Sequence, residues 1–453
     1  MNREKIAWLL SIILIAMLAF QLPGTLAKRD DDYAFVKTLI DIHRQVESNY
    51  VDPIDQDKLK LGSINGMMAE LDPYSIFIPA AREEEFDNML EGSFKGVGIE
   101  LSVLENGDIQ VVSPIPNSPA LKAGVMAGDI ILSVNGTDIK GKKIADVQKL
   151  IKGPLGSEVK LKVRHMDGRE AELTMTRQEI VLPTVMGYKR DANNNWDYLV
   201  SHDPKIAYLR ITQFTGDTYK ELKASLDQIL ADGAQGLILD VRFNPGGRLD
   251  QAKQVVNLFV DHGVIVVTKG LHRAEEIARA NAQEALPKQM PMIVLVNEHS
   301  ASAAEIVSGS LKDNHRATII GTRTYGKGSV QELMPLDEDE GELKLTVAYY
   351  YLPSGRLVHR KKGATDWGVD PQVVVPMDEK TEAQVLQAQA EAELFHGAAT
   401  RPSTVPASQP VVDKQLDAAV SVMTGSLHEH GESLLAPTTQ PEQEAPTTRT
   451  AAK

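Results

Sequence analysis

The chain has 453 residues, with 48 Lys and Arg against 62 Asp and Glu and a formal net charge of −14. At about 150 residues per domain the length allows three domains, and the acidic balance argues against broad nucleic-acid binding, which needs a basic stripe. No cysteine is present, which excludes disulfide scaffolds, thiolate metal sites and cysteine nucleophiles.

Arg3 and Lys5 precede an apolar run from Ile6 to Leu22 broken only by Ser11 and Gln21. Pro23, Gly24 and Thr25-Leu26-Ala27 follow, then the charged cluster Lys28 to Asp32. This order predicts a secretory signal over 1–27, cut after Ala27. The alternative is a retained membrane anchor, since the run is just short of the ~20 apolar residues of a span. Both readings place the chain outside the cytoplasm, periplasmic or anchored facing the extracytoplasmic side. No cysteine follows that could carry a lipid.

Region 32–87 reads as helical, with Phe35, Leu39, Ile40 and Val46 at helical spacing and a second run from Leu59 to Leu71. Asp72-Pro73-Tyr74-Ser75 then breaks the pattern. Region 92–180 is cut by Pro119, Pro154 and several glycines into short segments, among them Ile109–Val112, Asp129–Asn135 and Val159–Arg164. One helical stretch, Ile144–Lys152, interrupts them. A small β-rich domain is expected there. Region 181–376 changes grammar. Strands Ile206–Ile211, Leu237–Val241 and Met292–Val296 alternate with helices Tyr219–Ala231, Leu249–Phe259 and Ser302–Leu311, which predicts α/β layering. Leu343–Tyr351 is a further strand. In the extension 377–453, the segments 398–410 and 436–453 are too poor in apolar residues to fold. Helices are expected over Glu382–Phe395 and Asp413–Met423.

Phe94-Lys95-Gly96-Val97-Gly98-Ile99-Glu100-Leu101 sets two glycines before a strand. Such glycines let successive N–H groups converge into an anion-binding nest, and the strand after it can pair with an incoming peptide. With Ser118-Pro119-Ala120, Ala123-Gly124, Gly128-Asp129-Ile130-Ile131 and Val134-Asn135-Gly136, the block resembles a PDZ domain. The resemblance implies that Gly96, Val97, Gly98 and Ile99 bind a peptide C-terminus, with the Ile144–Lys152 helix as the other wall.

Met292 to Asn297 reads as a strand, Glu298-His299-Ser300-Ala301 as a turn, and Ser302-Ala303-Ala304-Glu305 as a helix start. A serine there is exposed beside free backbone N–H groups, although Ser300 or Ser302 would also serve simply as an N-cap. Lys327 follows in Tyr325-Gly326-Lys327-Gly328-Ser329-Val330-Gln331. As a base it needs a pKa well below the free value of about 10.4, and a drop of two to three units corresponds to roughly 3–4 kcal/mol, so the site must be dry. Gln331 can orient the amine without adding charge. The stretch Gly321 to Lys327 nearly matches a phosphate loop, but Gly328 stands where Ser or Thr must bind magnesium, which disfavours an ATPase. The turn Asp240-Val241-Arg242-Phe243-Asn244-Pro245-Gly246-Gly247 ends a strand and can aim an amide at an oxyanion.

Taken in order, these motifs resemble the carboxyl-terminal processing (tail-specific) serine proteases over about residues 33–376. Asp72 to Ser75, Tyr208 to Phe214 and Gly368-Val369-Asp370-Pro371 also fit. The resemblance implies Ser302 as nucleophile, Lys327 as general base and Gln331 as its orienter. An oxyanion hole from Ala303 and Gly246 or Gly247 is implied too, on a crotonase- and Clp-protease-like core. Val241 and Phe243 replace the more usual Leu and Asn around Arg242. The expected protein is a multidomain exported endopeptidase: helical segment, PDZ domain, α/β catalytic core and tail. Its partners would be protein and peptide substrates with accessible C-termini, with an adaptor protein and a homo-oligomer plausible from the family. No cofactor and no metal are expected; His428-Glu429-His430 reads as solvated tail and His299 as a turn residue rather than a triad member. The competing expectation is a non-catalytic PDZ adaptor for exported chain ends.

Overall fold

The computed structural model describes residues 34–430 apart from 105, 192, 287–289, 338–339 and 395–410. The expected signal or anchor and the low-complexity stretches 398–410 and 436–453 lie outside those residues. Among the described residues, no helix is long and apolar enough to cross a membrane.

The N-terminal unit, up to Ile76, holds helices over 34–49 and Gln56–Ala69. Asp55 caps the second by accepting the Lys58 N–H at 3.1 Å. The Asp72 carboxylate accepts the N–H groups of Tyr74 and Ser75 at 2.7 and 2.9 Å, an Asx-type turn that stops the helix. The structure then departs from an all-helical 32–87. Ile76–Pro79 is a strand that buries Phe77 and Ile78, and helix Ala80–Glu91 runs on to Gly92.

In the second unit, an antiparallel sheet orders its strands Ile99–Val103, Ile109–Pro114, Ile130–Val134, Glu158–Arg164 and Glu170–Thr176. Glu158–Arg164 alternates exposed and buried side chains without a break, so its Val159, Leu161 and Val163 all enter the core. Helix Ile144–Ile151 closes that core with Val147 and Ile151. Ile99–Val103 is the terminal strand of this sheet, so one of its edges is unpaired among the described strands.

The α/β layer is a mostly parallel sheet. Lys205–Ile211, Gly236–Asp240, Met292–Val296, Thr318–Gly321 and Val373–Val374 pair in that order, all in parallel. Strands Gly236–Asp240 and Met292–Val296 are buried along their whole length, as a sheet covered on both faces requires. Helices Thr218–Ala231, Leu249–Phe259 and Ala303–Asp313 pack one face. Helix Lys414–His430 covers the other, inserting Ala419 and Met423 among Ile238, Ile293, Leu295 and Ile320. Gly236 leaves room for it, because a Cβ there would sit 2.6 Å from the Met423 sulfur. A second sheet is built on Gly341–Tyr351, which pairs antiparallel with Ser329–Pro335 and Val264–Gly270.

The terminal helix is longer than its expected span of Asp413–Met423 and takes in His428-Glu429-His430, of which His428 is exposed. Its start is fixed by charge. Asp413 accepts the Leu416 N–H at 3.0 Å and also receives two bonds from Arg242, at 2.8 and 2.9 Å. Arg242 is fully buried and spends its remaining donors on Asp240 and Gln415. Removing Asp413 leaves part of that fork unsatisfied, which costs about 1–3 kcal/mol. Asp413→Ala is therefore expected to lower the urea unfolding free energy by about that amount, with earlier protease cleavage around residue 414. Wild-type stability and digestion would contradict the assignment.

Candidate active site

The carboxyl ends of Gly236–Asp240 and Met292–Val296 lie side by side, with Asp240 opposite Leu295. Ligand sites of open parallel sheets form at this end. A turn leaves each strand, and the two are stitched together. The Phe243 N–H donates to Asn297 Oδ1 at 3.0 Å, and the Ala301 N–H donates to the Asn244 carbonyl at 2.9 Å. Ser300 is fully buried, and its hydroxyl donates to the Val241 carbonyl at 2.8 Å. Of the two serines, Ser300 is therefore spent on structure.

Ser302 opens helix Ala303–Asp313 at φ 54° and ψ −113°. A non-glycine residue at such a position stores about 1–3 kcal/mol of strain, typical of functional turns. Ser302 is half-buried. The glycines of the facing turn permit the close approach: a Cβ on Gly246 would lie 2.7 Å from Ser302 Cβ and 3.0 Å from the Ala303 nitrogen. The Gly246 N–H itself donates to Asn244 Oδ1 at 2.8 Å. It is therefore occupied within its own turn, and the role of Gly246 here is to leave space. The N–H groups of Gly247 and Ala303 have no hydrogen bond to a described residue. Gly247 sits at φ 139°, where a Cβ would be 2.1 Å from the Phe214 carbonyl oxygen.

Lys327 is half-buried between two glycines that the packing demands. A Cβ on Gly326 would meet Trp367 at 2.7 Å, and one on Gly328 would meet the His359 nitrogen at 2.5 Å. The carbonyls of Gly326 and Gly328 accept N–H groups from Arg360 and Tyr350 at 2.8 and 2.9 Å. The lysine is thus clamped from both sides in an extended loop.

Two residues without an assigned role in the sequence reading join these segments. Glu305 is fully buried and accepts four bonds: Ser302 N–H at 2.9 Å, Lys327 N–H at 2.8 Å, Gly326 N–H at 2.7 Å and the Thr324 hydroxyl at 2.6 Å. Burial pushes its carboxyl above the usual range, against the four donors that pull it down. The Tyr350 hydroxyl lies 3.0 Å from the Ser302 carbonyl oxygen and 2.6 Å from that of Lys327. Glu305 was detectable as the fourth residue of a capping-box pattern starting at Ser302; Tyr350 carries no signal beyond its strand.

The side-chain amide of Gln331 donates to Ser329 and Thr346 at 2.9 and 3.1 Å. His299 stacks on Phe243, with ring centroids 5.7 Å apart. In the smaller β-rich unit, Val97 is buried and its carbonyl accepts the Ala120 N–H at 2.9 Å. The Gly98 carbonyl accepts the Ile115 N–H at 2.9 Å. Gly98 has φ 76° and no room for a Cβ against Ser118. Gly96 ends a strand paired with Gln178–Val181, and Ile99 begins the edge strand.

Residues 205–375 match peptidase family S41, and residues 110–165 match the PDZ domain. A carboxy-terminal-processing protease of Bartonella bacilliformis is 37% identical over 389 residues, covering 84% of this chain and 85% of that protein. The carboxy-terminal processing protease CtpA of Bacillus subtilis is 35% identical over 348 residues, covering 76% and 70%. Among solved structures, a photosystem II D1 C-terminal processing protease is 29% identical and covers 78% of this chain and 92% of its own, with a TM-score of 0.42.

Losing the Tyr350 hydroxyl frees two carbonyls that bracket the site while keeping the ring in the core. Tyr350→Phe is expected to cost about 1 kcal/mol of stability and to lower kcat about tenfold with KM little changed. A variant with wild-type kcat would show that the hydroxyl does not align the two segments.

Proposed function

Because the chain belongs to peptidase family S41 and is a PDZ-containing carboxy-terminal-processing serine protease, we propose that it hydrolyses peptide bonds through a Ser302–Lys327 dyad, on substrates held by their C-termini. The observation that carries this reading is the shared carboxylate of Glu305, which takes a backbone N–H from Ser302 and another from Lys327.

In the proposed reaction, neutral Lys327 takes the proton from Ser302 Oγ as that oxygen attacks the substrate carbonyl carbon. The oxyanion accepts hydrogen bonds from the Gly247 and Ala303 amides, neither of which donates to a described residue. Collapse breaks the C–N bond, and Lys327 returns its proton to the leaving amine. Water then attacks the acyl-enzyme, with Lys327 again as base. Gln331 fits as an orienter because its amide nitrogen is fixed by Ser329 and Thr346, leaving its carbonyl oxygen to accept from the Lys327 amine.

For recruitment, the open edge of Ile99–Val103 would pair with the last residues of a substrate, helix Ile144–Ile151 forming the opposite wall. The segment Gly96–Ile99 would hold the terminal carboxylate. The signal-like or anchor-like segment 1–27 supports action outside the cytoplasm. Phe35, Ile42 and Tyr50 are each more than half exposed on or beside the first helix, a surface suited to self-association.

Ser302→Ala and Lys327→Ala are each expected to reduce cleavage of an unfolded protein by about 10³-fold or more. Amidating that substrate's C-terminus should raise KM about tenfold and leave kcat nearly unchanged. Undiminished cleavage by Ser302→Ala would overturn the dyad. Indifference to amidation would overturn carboxylate capture alone.

A further inference from the structure

Three ligand-type side chains meet beside the catalytic turn and take no part in the proposed reaction. Glu298 and His299 precede Ser302 on the turn after Met292–Val296, and Glu382 comes from helix Glu379–Glu393. One ligand atom from each lies within 4.8 Å of the others, and His299 Nε2 is 3.8 Å from Glu382 Oε2. That separation is too long for a hydrogen bond. It is close to the ~3.4 Å expected between two ligands of a tetrahedral ion with bonds of about 2.1 Å.

Glu382 supplies an independent observation. Its residue is only 4% exposed, yet Oε1 has no hydrogen-bond partner among the described residues. A buried carboxylate oxygen without a donor is costly unless a proton or cation compensates it. The groups that face its carboxylate are Glu298, His299, the Asn297 side-chain amide and Arg242. Of these, Arg242 already spends its donors on Asp240, Asp413 and Gln415.

The surrounding groups are arranged as outer supports. The Thr322 hydroxyl donates to Glu298 Oε2 at 3.1 Å. The Asn297 side-chain oxygen accepts the N–H of His299 at 3.2 Å, and the His299 ring lies nearly parallel to Phe243, at 20°. Such contacts fix the orientation of a ligating imidazole or carboxylate. We propose that Glu298, His299 and Glu382 bind one zinc-type divalent cation, which ties helix Glu379–Glu393 to the turn that carries Ser302. One imidazole with two carboxylates selects zinc over magnesium or calcium, which prefer all-oxygen sites. The ion is a tether here and enters no step of peptide hydrolysis.

The test is calorimetric titration of the full chain with Zn²⁺, run alongside thermal unfolding. One Zn²⁺ per chain should bind at this site, raise Tm, and resist displacement by millimolar Mg²⁺. His299→Ala removes an exposed ring and Glu382→Gln is isosteric, so both variants should fold. Each should bind at least about tenfold more weakly and lose the Tm gain. Co²⁺ in place of zinc should give a visible tetrahedral band that both variants lose. A His428→Ala/His430→Ala double variant should behave as wild type. The proposal is overturned by absence of saturable binding, by unchanged binding in both site variants, by equal affinity for Mg²⁺, or by loss of binding in the double variant.

Discussion

One buried carboxylate holds the site together. Glu305 lies on the first turn of the helix that Ser302 opens, and it accepts three backbone N–H groups and a hydroxyl from two separate segments. Every neighbour is a donor, so only an acceptor at both oxygens satisfies them all, and an ionised carboxylate is the side chain that offers this. An amide would set a donor against donors and leave buried N–H groups orphaned. The same carboxylate that caps the helix thus fixes where the Lys327 loop passes it, and the Ser302 and Lys327 segments share one anchor.

The rest of the core serves to hold that anchor still. Parallel strands buried on both faces bring two turns to one end of the sheet. Asn297 and Ser300 then sew the turns together through side chain-to-backbone bonds, and the Asn244 amide ties its turn to the Ile211 carbonyl. Within the glycine turn, Arg242 is gripped by Asp240 at the end of the preceding strand and by Asp413 from near the far end of the described chain. A buried arginine between two carboxylates is strongly held in its charged form, and its fork has one geometry. The terminal helix is therefore part of the structure under the site rather than an appendage.

Much of this was legible in the sequence because the determinants are local. Glycines flanking Lys327, a serine at a strand-to-helix junction and period-two burial in Glu158–Arg164 each leave a mark within a few residues. What was not legible is long-range. Nothing near Tyr350 says that its hydroxyl will reach two carbonyls, one of them 48 positions away. Gly246 and Gly247 look equivalent as amide donors until the Asn244 side chain is seen to occupy the first. The partner of Arg242 lies 171 positions along the chain. His299 reads as an ordinary turn residue until helix Glu379–Glu393 brings Glu382 beside it. The misread strand Ile76–Pro79 belongs to the same class, since its pairing partner is the distant Gly341–Tyr351.

The claim that Glu305 aligns Ser302 with Lys327 is tested most directly by the reactivity of the serine itself. The measurement is the rate at which a small serine-directed fluorophosphonate labels Ser302 in Glu305→Gln, beside wild type and Ser302→Ala. The probe needs no PDZ capture and no bound peptide, so it reports on the activation of the hydroxyl alone. Glu305→Gln should fold and label more slowly by about a hundredfold or more, the scale of about 2.7 kcal/mol of lost alignment. Labelling at the wild-type rate in a folded Glu305→Gln variant would contradict it.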